Sequence, residues 1–342
     1  MRETIFIVDD SDVSLTTAKE ALKRHYRVMT LPSAEKMFAL IKKITPDLIL
    51  LDIEMPDMDG FEVLHHLKHN VSLDGIPVIL LTGRSDIDAE IRGLQLGVVD
   101  FITKPFSEPV LLNRIRNHLN INEIILERTA RLQRLQNGIV FVLADVLERR
   151  DLRTGGHVER TTAYVRILLE SMREQGVYAD EVDHIDTELF VSSARLHDVG
   201  KISISDVILN KPGKLTEEEF AIMKTHPTEG ERIIDQIVFR TGGDETFLHY
   251  AKSFAGYHHE RWNGRGYPYG LKGTNIPLEG RIMAFADVYD AMVSIRSYKE
   301  SLSHEEAIKT ILENADDHFD PIITTAFYDV CEKFKTVKLE QY

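Results

Sequence analysis

Two histidine motifs lie about 60 residues apart in this chain and carry the residue types that bind transition metals. The first, Arg195–Lys201, contains the adjacent pair His197 and Asp198, and the second, His258–Pro268, begins with two histidines. A neighbouring histidine and aspartate offer a metal one neutral nitrogen and one anionic oxygen. Either motif alone is a weak signal, because a buried His–Asp pair usually satisfies only a hydrogen bond in a core. Their combination predicts a metal site.

Three more potential ligands occur along the chain. His157 follows a Thr-Gly-Gly sequence, His226 precedes a proline, and Asp287 closes the apolar stretch Ile282–Ala286. Two metals about 4 Å apart can activate water for attack on a phosphodiester and clamp the reacting oxygens. The ordered donors predict a two-metal hydrolase site. Its predicted ligands are His157, His197, Asp198, His226, His258, His259 and Asp287.

These motifs and their order resemble the HD-GYP family, which comprises cyclic di-GMP phosphodiesterases of the HD superfamily. Gly-Tyr-Pro at 266–268 matches the motif that names the family, and His197–Lys201 matches the other half. The resemblance extends from about Leu147 to Phe334. It implies hydrolysis of cyclic di-GMP to linear pGpG and/or GMP. It also implies two divalent metals, with iron expected first, manganese next, and zinc or nickel as further options.

Two metals that act on one phosphate need a bridging carboxylate, and Asp198 is the best candidate. The other ligands divide into two sets. The first set is His157, His197 and Asp287. The second set is His226, His258 and His259. Lys201, one helical turn beyond Asp198, would stabilise charge on a phosphate oxygen, so catalysis is assigned to these two residues. Glu260 and Arg281 are candidates to orient ligand histidines.

The family resemblance also implies residues that contact the substrate. It places Asp290, Arg296 and Lys299 around the phosphate and guanine groups, where Lys201 would join them. The loop at Tyr267 would form a lip over the substrate. The cations in this set would supply the local basic pocket that an anionic substrate needs.

One position departs from the family pattern. Some members carry a glutamate four residues before the first ligand histidine and use it to recruit a third metal, whereas this chain has Arg153 there. A guanidinium stays protonated and offers no lone pair, so the site is predicted to hold two metals. Glu148 and Asp151 are poor substitutes, because their spacing points them away from the first ligand histidine.

The segment before residue 120 contains short apolar runs separated by amphipathic helical stretches. Such runs are typical of a doubly wound α/β domain with a parallel five-stranded sheet covered on both faces. The predicted strands are Thr4–Val8, Arg27–Leu31, Asp47–Ile53, Pro77–Leu81 and Asp100–Thr103. Ligands gather at the carboxyl ends of such strands. Asp9, Asp10 and Asp52 lie at these ends with Lys104. Three converging carboxylates would share a hard cation such as Mg²⁺.

Residues 1 to about 120 resemble the receiver domain of bacterial response regulators, with a flavodoxin-like fold. The resemblance makes Asp52 the phosphoacceptor and implies a cognate sensor histidine kinase as partner. The implied Mg²⁺ group is Asp9, Asp10, Asp52 and the Glu54 backbone. The implied switch group is Thr82, Lys104 and Phe101. An aromatic residue within a strand is most often part of a core, so the assignment of Phe101 has a structural alternative.

A long helix is predicted to connect the two halves, from about residue 107 to 146. Ser107–Pro109 has the composition of a helix start. Apolar residues then recur at spacings of four and three, with Arg128 at one position of the series. The series is Ile121, Ile125, Leu132, Leu135, Ile139, Val142 and Val146. Such a seam predicts either a parallel homodimer or one helix packed on its own domain. Gly138 could loosen the helix.

Helical spacing continues from about residue 140 to the end, which predicts an all-α HD-superfamily bundle with ligands projecting inward. The main predicted helices are Val158–Glu174, Glu188–Leu196, Leu278–Val293, His304–Asn314 and Ile322–Phe334. The predicted organisation is a receiver domain (1–120), a connecting helix (107–146) and an HD-GYP phosphodiesterase domain (140–342).

Bulk composition excludes several classes of function. The formal net charge of −14 over 342 residues argues against a nucleic-acid polymer or an anionic membrane as partner. Cys331 is the single cysteine, so an intrachain disulfide is impossible, which fits a reducing cytosol. Neither a signal sequence nor a membrane-spanning apolar run is visible. A cytoplasmic location is therefore expected.

Other functions stay open. The second domain could bind a cyclic dinucleotide without cutting it, or it could dock on diguanylate cyclases through the Gly-Tyr-Pro surface. The complete ligand set favours catalysis, because a pure receptor needs no full set of metal ligands. Mixed cyclic GMP-AMP remains open as the substrate, and so does the direction in which phosphorylation would change activity.

Overall fold

The protein is described by a computed structural model that covers residues 2–70, 73–83, 87–151, 156–243, 246–294 and 301–337, with side chains from 91 onward in the third range. The chain divides into two compact units, Met1–Gln133 and Arg134–Tyr342. The boundary falls inside a helix that begins at Glu108 and ends at Arg150. The helix runs through Gly138, the glycine that could loosen it.

The first unit is a parallel five-stranded sheet with helices on both faces. Its strands are β1 (Thr4–Val8), β2 (Arg27–Leu31), β3 (Leu48–Asp52), β4 (Val78–Thr82) and β5 (Asp100–Thr103). Its helices are α1 (Asp12–Leu22), α2 (Ala34–Ile41), α3 (Gly60–Lys68), α4 (Ile87–Gln95) and the first part of α5 (Glu108–Arg150). The strand order β2-β1-β3-β4-β5 confirms the predicted doubly wound fold.

The apolar strands are buried on both faces, which explains why they lack polar alternation. Phe6 and Val8 of β1 pack with α2 and α3, whereas Ile5 and Ile7 pack with α1 and α5. All five residues of β1 are buried. Because successive side chains point to opposite faces of a sheet, a continuous apolar run is needed when helices cover both.

The second unit is all-α in the ranges that the structure describes. Its α-helices in these ranges are α6 (His157–Gln175), α7 (Ala179–Val182), α8 (Thr187–Ala194), α9 (Asp206–Leu209), α10 (Glu217–Met223), α11 (His226–Thr241), α12 (Thr246–Tyr257), α13 (Leu278–Val293), α14 (His304–Glu313) and α15 (Pro321–Lys335). Two 3-10 helices span Val199–Ser203 and Gly273–Asn275. The predicted helical bundle is confirmed. Among these helices none is both long enough and apolar enough to cross a membrane.

The core of the second unit lies between α6, α8, α13 and α15. Leu168, Phe190, Phe285 and Phe327 are fully buried in it, one from each helix. A smaller cluster joins Val140 of α5 to α11 and α12. These two clusters hold the helix ends that carry the predicted ligands.

The apolar seam of α5 does not pack on its own unit. Its members are half-exposed or more, from 52% at Ile121 to 66% at Leu132. Exposed apolar surface of this extent is unfavourable in water. This exposure favours the homodimer, and both alternatives for the seam remain predictions.

Candidate phosphoacceptor pocket and metal centre

The predicted receiver acids meet at the carboxyl end of the sheet in the first unit. Asp9, Asp10 and Asp52 each offer an oxygen within 4.8 Å of the others. Lys104 Nζ lies 2.6 Å from Asp9 Oδ2 and 2.8 Å from Asp52 Oδ1. Burial raises the pKa of Asp52, although Lys104 opposes that effect. Three converging carboxylates, two of them buried, have the oxygen ligands that a hard divalent cation prefers.

The remaining receiver residues surround this group at strand ends. Thr82 is buried at the end of β4, where its neighbour Leu81 pairs with Asp52 of β3. Phe101 of β5 is partly buried against the sheet core and would collide with a side chain at Gly93. The Glu54 side chain is exposed, which is compatible with a residue whose backbone, and not its side chain, is predicted to bind Mg²⁺.

In the second unit, four of the predicted ligand histidines each have a hydrogen-bond partner at Nδ1. His197 Nδ1 lies 3.0 Å from the Ala194 carbonyl oxygen. His226 Nδ1 lies 2.8 Å from the Met223 carbonyl, and His258 Nδ1 lies 2.9 Å from Phe254. In His157 the partner of Nδ1 is a carboxylate. Because each partner is an acceptor, each Nδ1 carries the proton, and a neutral imidazole then presents a bare Nε2.

These bare Nε2 atoms face one another in two pairs. His157 and His197 bring theirs to 3.4 Å, and His226 and His258 bring theirs to 3.2 Å. Two lone pairs at such distances repel each other unless a cation lies between them. His259 completes the second group, with all three donor atoms within 4.8 Å of one another. This donor chemistry fits two transition-metal ions.

Asp198 lies between the two histidine groups. Its Oδ2 is 3.3 Å from His197 Nε2, and its Oδ1 is 3.5 Å from His226 Nε2 and 3.8 Å from His258 Nε2. Asp287 joins the first group from α13, with Oδ1 3.6 Å from His157 Nε2. One carboxylate that faces both groups with different oxygens has the geometry of a bridging ligand.

The backbone packing that brings these groups together depends on a glycine. Gly200 lies in the 3-10 helix that follows Asp198, and a Cβ there would collide with the His226 carbonyl oxygen and approach the Gly230 nitrogen to 2.5 Å. The 3-10 helix can therefore contact α11 backbone to backbone. This contact sets the distance between Asp198 and His226.

Electrostatics at the centre favour neutral imidazoles in the second histidine group and an ionised Asp198. Burial lowers the pKa of His258 to about 3, and neighbouring imidazoles add to the effect. Burial also places the pKa of His259 well below its usual value and lowers that of His226. Burial would raise the pKa of Asp198, but nearby cations, Lys201 first, hold it well below its usual value. Metal ligands need these protonation states.

Lys201 lies beside Asp198, the predicted bridging carboxylate. Its Nζ is 2.7 Å from Asp198 Oδ2 and 3.1 Å from Asp151 Oδ2. Burial would lower the pKa of Lys201, but these two carboxylates outweigh burial and raise it. The side chain therefore carries a fixed positive charge next to the predicted metal ligands.

Asp290 differs from its predicted role at the substrate. It is 1% exposed, its Oδ2 lies 2.8 Å from His157 Nδ1, and its Oδ1 lies 2.5 Å from Arg160 Nε. The expectation that Asp290 contacts substrate is wrong in this structure, because burial and these partners occupy both oxygens. Asp290 instead pairs with His157, a predicted ligand. The contact of Arg160 with Asp290 was not predicted from the sequence. The one available indication was that Arg160 lies one helical turn after His157.

Glu148 also differs from expectation, since it lies against His157 rather than away from it. Glu148 Oε1 accepts a hydrogen bond of 2.5 Å from the His157 backbone nitrogen at the start of α6. Asp151 contacts Lys201. Because α5 ends beside the site, the Glu148 carboxylate binds the backbone of α6 and the Asp151 carboxylate pairs with Lys201. Three predicted positions, Arg153, Arg296 and Lys299, lie outside the described residues.

The Gly-Tyr-Pro loop covers the second histidine group. The Tyr267 ring stacks on His259 with centroids 4.7 Å apart. Glu260 holds the following turn, accepting from the backbone nitrogens of Tyr269, Gly270 and Leu271 at 2.7, 3.1 and 3.0 Å. The expectation that Glu260 orients a ligand histidine is therefore wrong, because its oxygens bind the loop instead.

Arg281 likewise binds structural partners rather than a predicted ligand histidine. Its Nη1 lies 3.0 Å from Asp320 Oδ2, and its Nε donates to the Ile276 carbonyl at 2.9 Å. Asp320 in turn caps α15 through the Ile322 nitrogen. The guanidinium contacts no ligand histidine among the described hydrogen bonds, so its predicted orienting role is wrong.

Comparison with known proteins agrees with this geometry. The profile of the HD domain family matches residues 142–323, and that of the response regulator receiver domain matches residues 5–116. The chain belongs to the response regulators that join a receiver domain to an HD domain. Both domains predicted from the motifs are thereby confirmed.

Relatives within this family are named as phosphodiesterases. A probable cyclic di-GMP phosphodiesterase of Vibrio cholerae is 40% identical over 97% of this chain and 80% of its own length. The cyclic di-GMP phosphodiesterase response regulator RpfG of Xanthomonas campestris is 36% identical over 85% of this chain and 79% of its own length. A 3'3'-cGAMP-specific phosphodiesterase of Vibrio cholerae is 35% identical over 60% of this chain and 37% of its own length.

Proposed function

We propose that this HD-domain response regulator is a metal-dependent phosphodiesterase that hydrolyses cyclic di-GMP to linear pGpG and/or GMP. The observation that carries the proposal is Asp198, whose two oxygens face two separate histidine groups. The names of the relatives that span most of the chain support cyclic di-GMP as the substrate.

The ligands would hold two divalent metals, iron first and manganese next. When bound, such metals supply an activated water and neutralise charge on the phosphate. His157, His197 and Asp287 would hold one, and the second histidine group the other, with Asp198 shared. Zinc or nickel would also suit these donors.

The chain's own side chains would do the remaining work. The ammonium of Lys201 would donate to a phosphate oxygen and stabilise the charge that develops there. Tyr267, stacked on His259, would wall one side of the substrate. Arg296 and Lys299 would contact the substrate, whereas Asp290 would not, because it binds His157.

In the first unit we propose that Asp52 is phosphorylated by a sensor histidine kinase. Mg²⁺ would be held by Asp9, Asp10 and Asp52, and Lys104 with Thr82 would contact the phosphoryl oxygens. Phosphorylation would then control the phosphodiesterase, and the exposed seam of α5 would hold a homodimer.

A second candidate substrate is 3'3'-cGAMP, which the name of one relative favours. A non-hydrolysing receptor or a cyclase-binding adaptor is less well supported, because the ligand groups and Lys201 are all in place. The purified protein, analysed for metal, should convert cyclic di-GMP to a linear product on chromatography, with 3'3'-cGAMP in a parallel reaction. Binding without turnover of either nucleotide, in a protein with both metals, would point to the receptor.

A further inference from the structure

A second cluster of metal-ligating side chains lies in the helical unit, outside the histidine groups described above. His304 stands at the start of α14, and Cys331 and Glu332 lie near the end of α15. One ligand atom from each of the three lies within 4.8 Å of the others. Imidazole, thiol and carboxylate are the ligand types of zinc sites.

The decisive observation is the Nε2 atom of His304. The side chain is 6% exposed, and in the described part of the chain its Nε2 is buried without a hydrogen-bond partner. The Oε1 atom of Glu332 is 3.5 Å away, which is too far for a hydrogen bond. A buried polar atom in this state needs a partner that the neighbouring side chains do not supply.

We propose that His304, Cys331 and Glu332 bind one divalent transition-metal ion such as Zn²⁺, with solvent as the fourth ligand. In a tetrahedral zinc site, nitrogen and oxygen ligands lie about 3.4 Å apart. The Nε2 and Oε1 atoms, 3.5 Å apart, already have this spacing. The thiolate disfavours Mg²⁺ and Ca²⁺, which select oxygen ligands.

The surrounding contacts suit a metal at this position. Tyr289 places its phenol oxygen 2.7 Å from His304 Nδ1, where it can accept a hydrogen bond from Nδ1–H and leave the Nε2 lone pair for the ion. The Cys331 thiol donates to the Tyr328 carbonyl at 3.1 Å, and burial raises its pKa. Binding would therefore release one proton from sulfur to solvent as the metal–thiolate bond forms.

The site is open to solvent on one side and joins two helices. The Glu332 side chain is 78% exposed, so an ion can enter past it. Lys335 and Glu305 already pair across the same helix ends at 3.0 Å. Because the three ligands come together only in the folded unit, binding would stabilise the packing of α14 on α15.

The test uses Co²⁺ with the full, metal-stripped, reduced protein. Cobalt bound to a thiolate absorbs in the near ultraviolet, whereas cobalt bound to histidine and carboxylate alone lacks that band. Cys331 is the single cysteine, so any such band reports this site and not the catalytic centre. We expect the band to level off at the intensity of one thiolate-bound cobalt per chain, whatever amount the catalytic centre also binds, and to vanish in Cys331→Ser.

Two variants examine the other ligands. Glu332→Gln, at an exposed position, and His304→Gln should each weaken cobalt binding at this site at least about tenfold. The control Asp329→Asn, exposed on the same helix, should bind like the parent. Zn²⁺ should raise the melting temperature of the parent more than that of Glu332→Gln. The proposal fails if the parent shows no band, or if both glutamine variants bind cobalt as tightly as the parent.

Discussion

Asp290 accepts a hydrogen bond from the His157 imidazole on the side opposite Nε2. Its Oδ2 lies 2.8 Å from Nδ1, although the two residues are 133 positions apart in sequence. Burial lowers the pKa of His157, but Asp290 and Asp287 outweigh burial and raise it. A positive charge on Nε2, whether a proton or a metal, is thereby favoured. Arg160 pairs with the same carboxylate and keeps Asp290 ionised.

Asp290→Asn should weaken metal binding while leaving the fold intact. The amide is nearly the same size but can no longer accept from both His157 and Arg160 as an anion, so the ligand loses its fixed orientation. We expect metal affinity to fall about 10- to 100-fold. Chelator competition followed by metal analysis measures it. Asp235→Asn, which removes only a surface pair with Lys252, is the control. Unchanged affinity in Asp290→Asn would contradict the orienting role.

Lys201→Met should separate metal binding from catalysis. The methionine keeps the apolar stem but removes the charge that faces Asp198. We expect the metals to stay and the rate to fall about 10²-fold or more, as for the loss of one donor to a developing oxyanion. Single-turnover hydrolysis of cyclic di-GMP with parallel metal analysis measures both. Lys252→Met, at an exposed ion pair, should retain parental activity. A full rate in Lys201→Met would exclude this lysine from the reaction.

Asp52→Asn should abolish labelling by acetyl phosphate in the presence of Mg²⁺. The asparagine keeps the shape of the pocket but cannot form an acyl phosphate. Asp74→Asn, at an exposed aspartate of the same unit, is the matched control and should be labelled like the parent. Intact-mass measurement detects the added phosphoryl group. Equal labelling of Asp52→Asn would place the phosphoacceptor elsewhere.

Paired Ile125→Lys and Leu132→Lys substitutions should convert a dimer to a monomer. Each would place a charge in an apolar seam, where it loses solvation without a partner. Light scattering should report half the parental mass. Leu126→Lys, at a 62% exposed position off the seam, controls for added charge on the same helix. A parent that is already monomeric would remove the basis for the dimer.

Much of the fold and the site follows from local sequence. The strands of the first unit could be predicted because burial on both faces demands unbroken apolar runs, as in β1 and β3. The ligands could be predicted because metal chemistry restricts residue type. His197 and Asp198 are adjacent, so their shared function is visible without any tertiary information.

Only the tertiary structure decided which distant side chains meet. The family resemblance placed Asp290 at the substrate, yet the packing of α13 on α6 directs its side chain to His157. Glu260 lies next to a ligand histidine in sequence, but its carboxylate reaches three backbone nitrogens of the loop. The approach of His304 to Cys331 likewise depends on α14 packing on α15. Local periodicity specifies the face a helix buries, whereas the partner of a buried polar atom depends on contacts between remote segments, which one sequence does not encode locally.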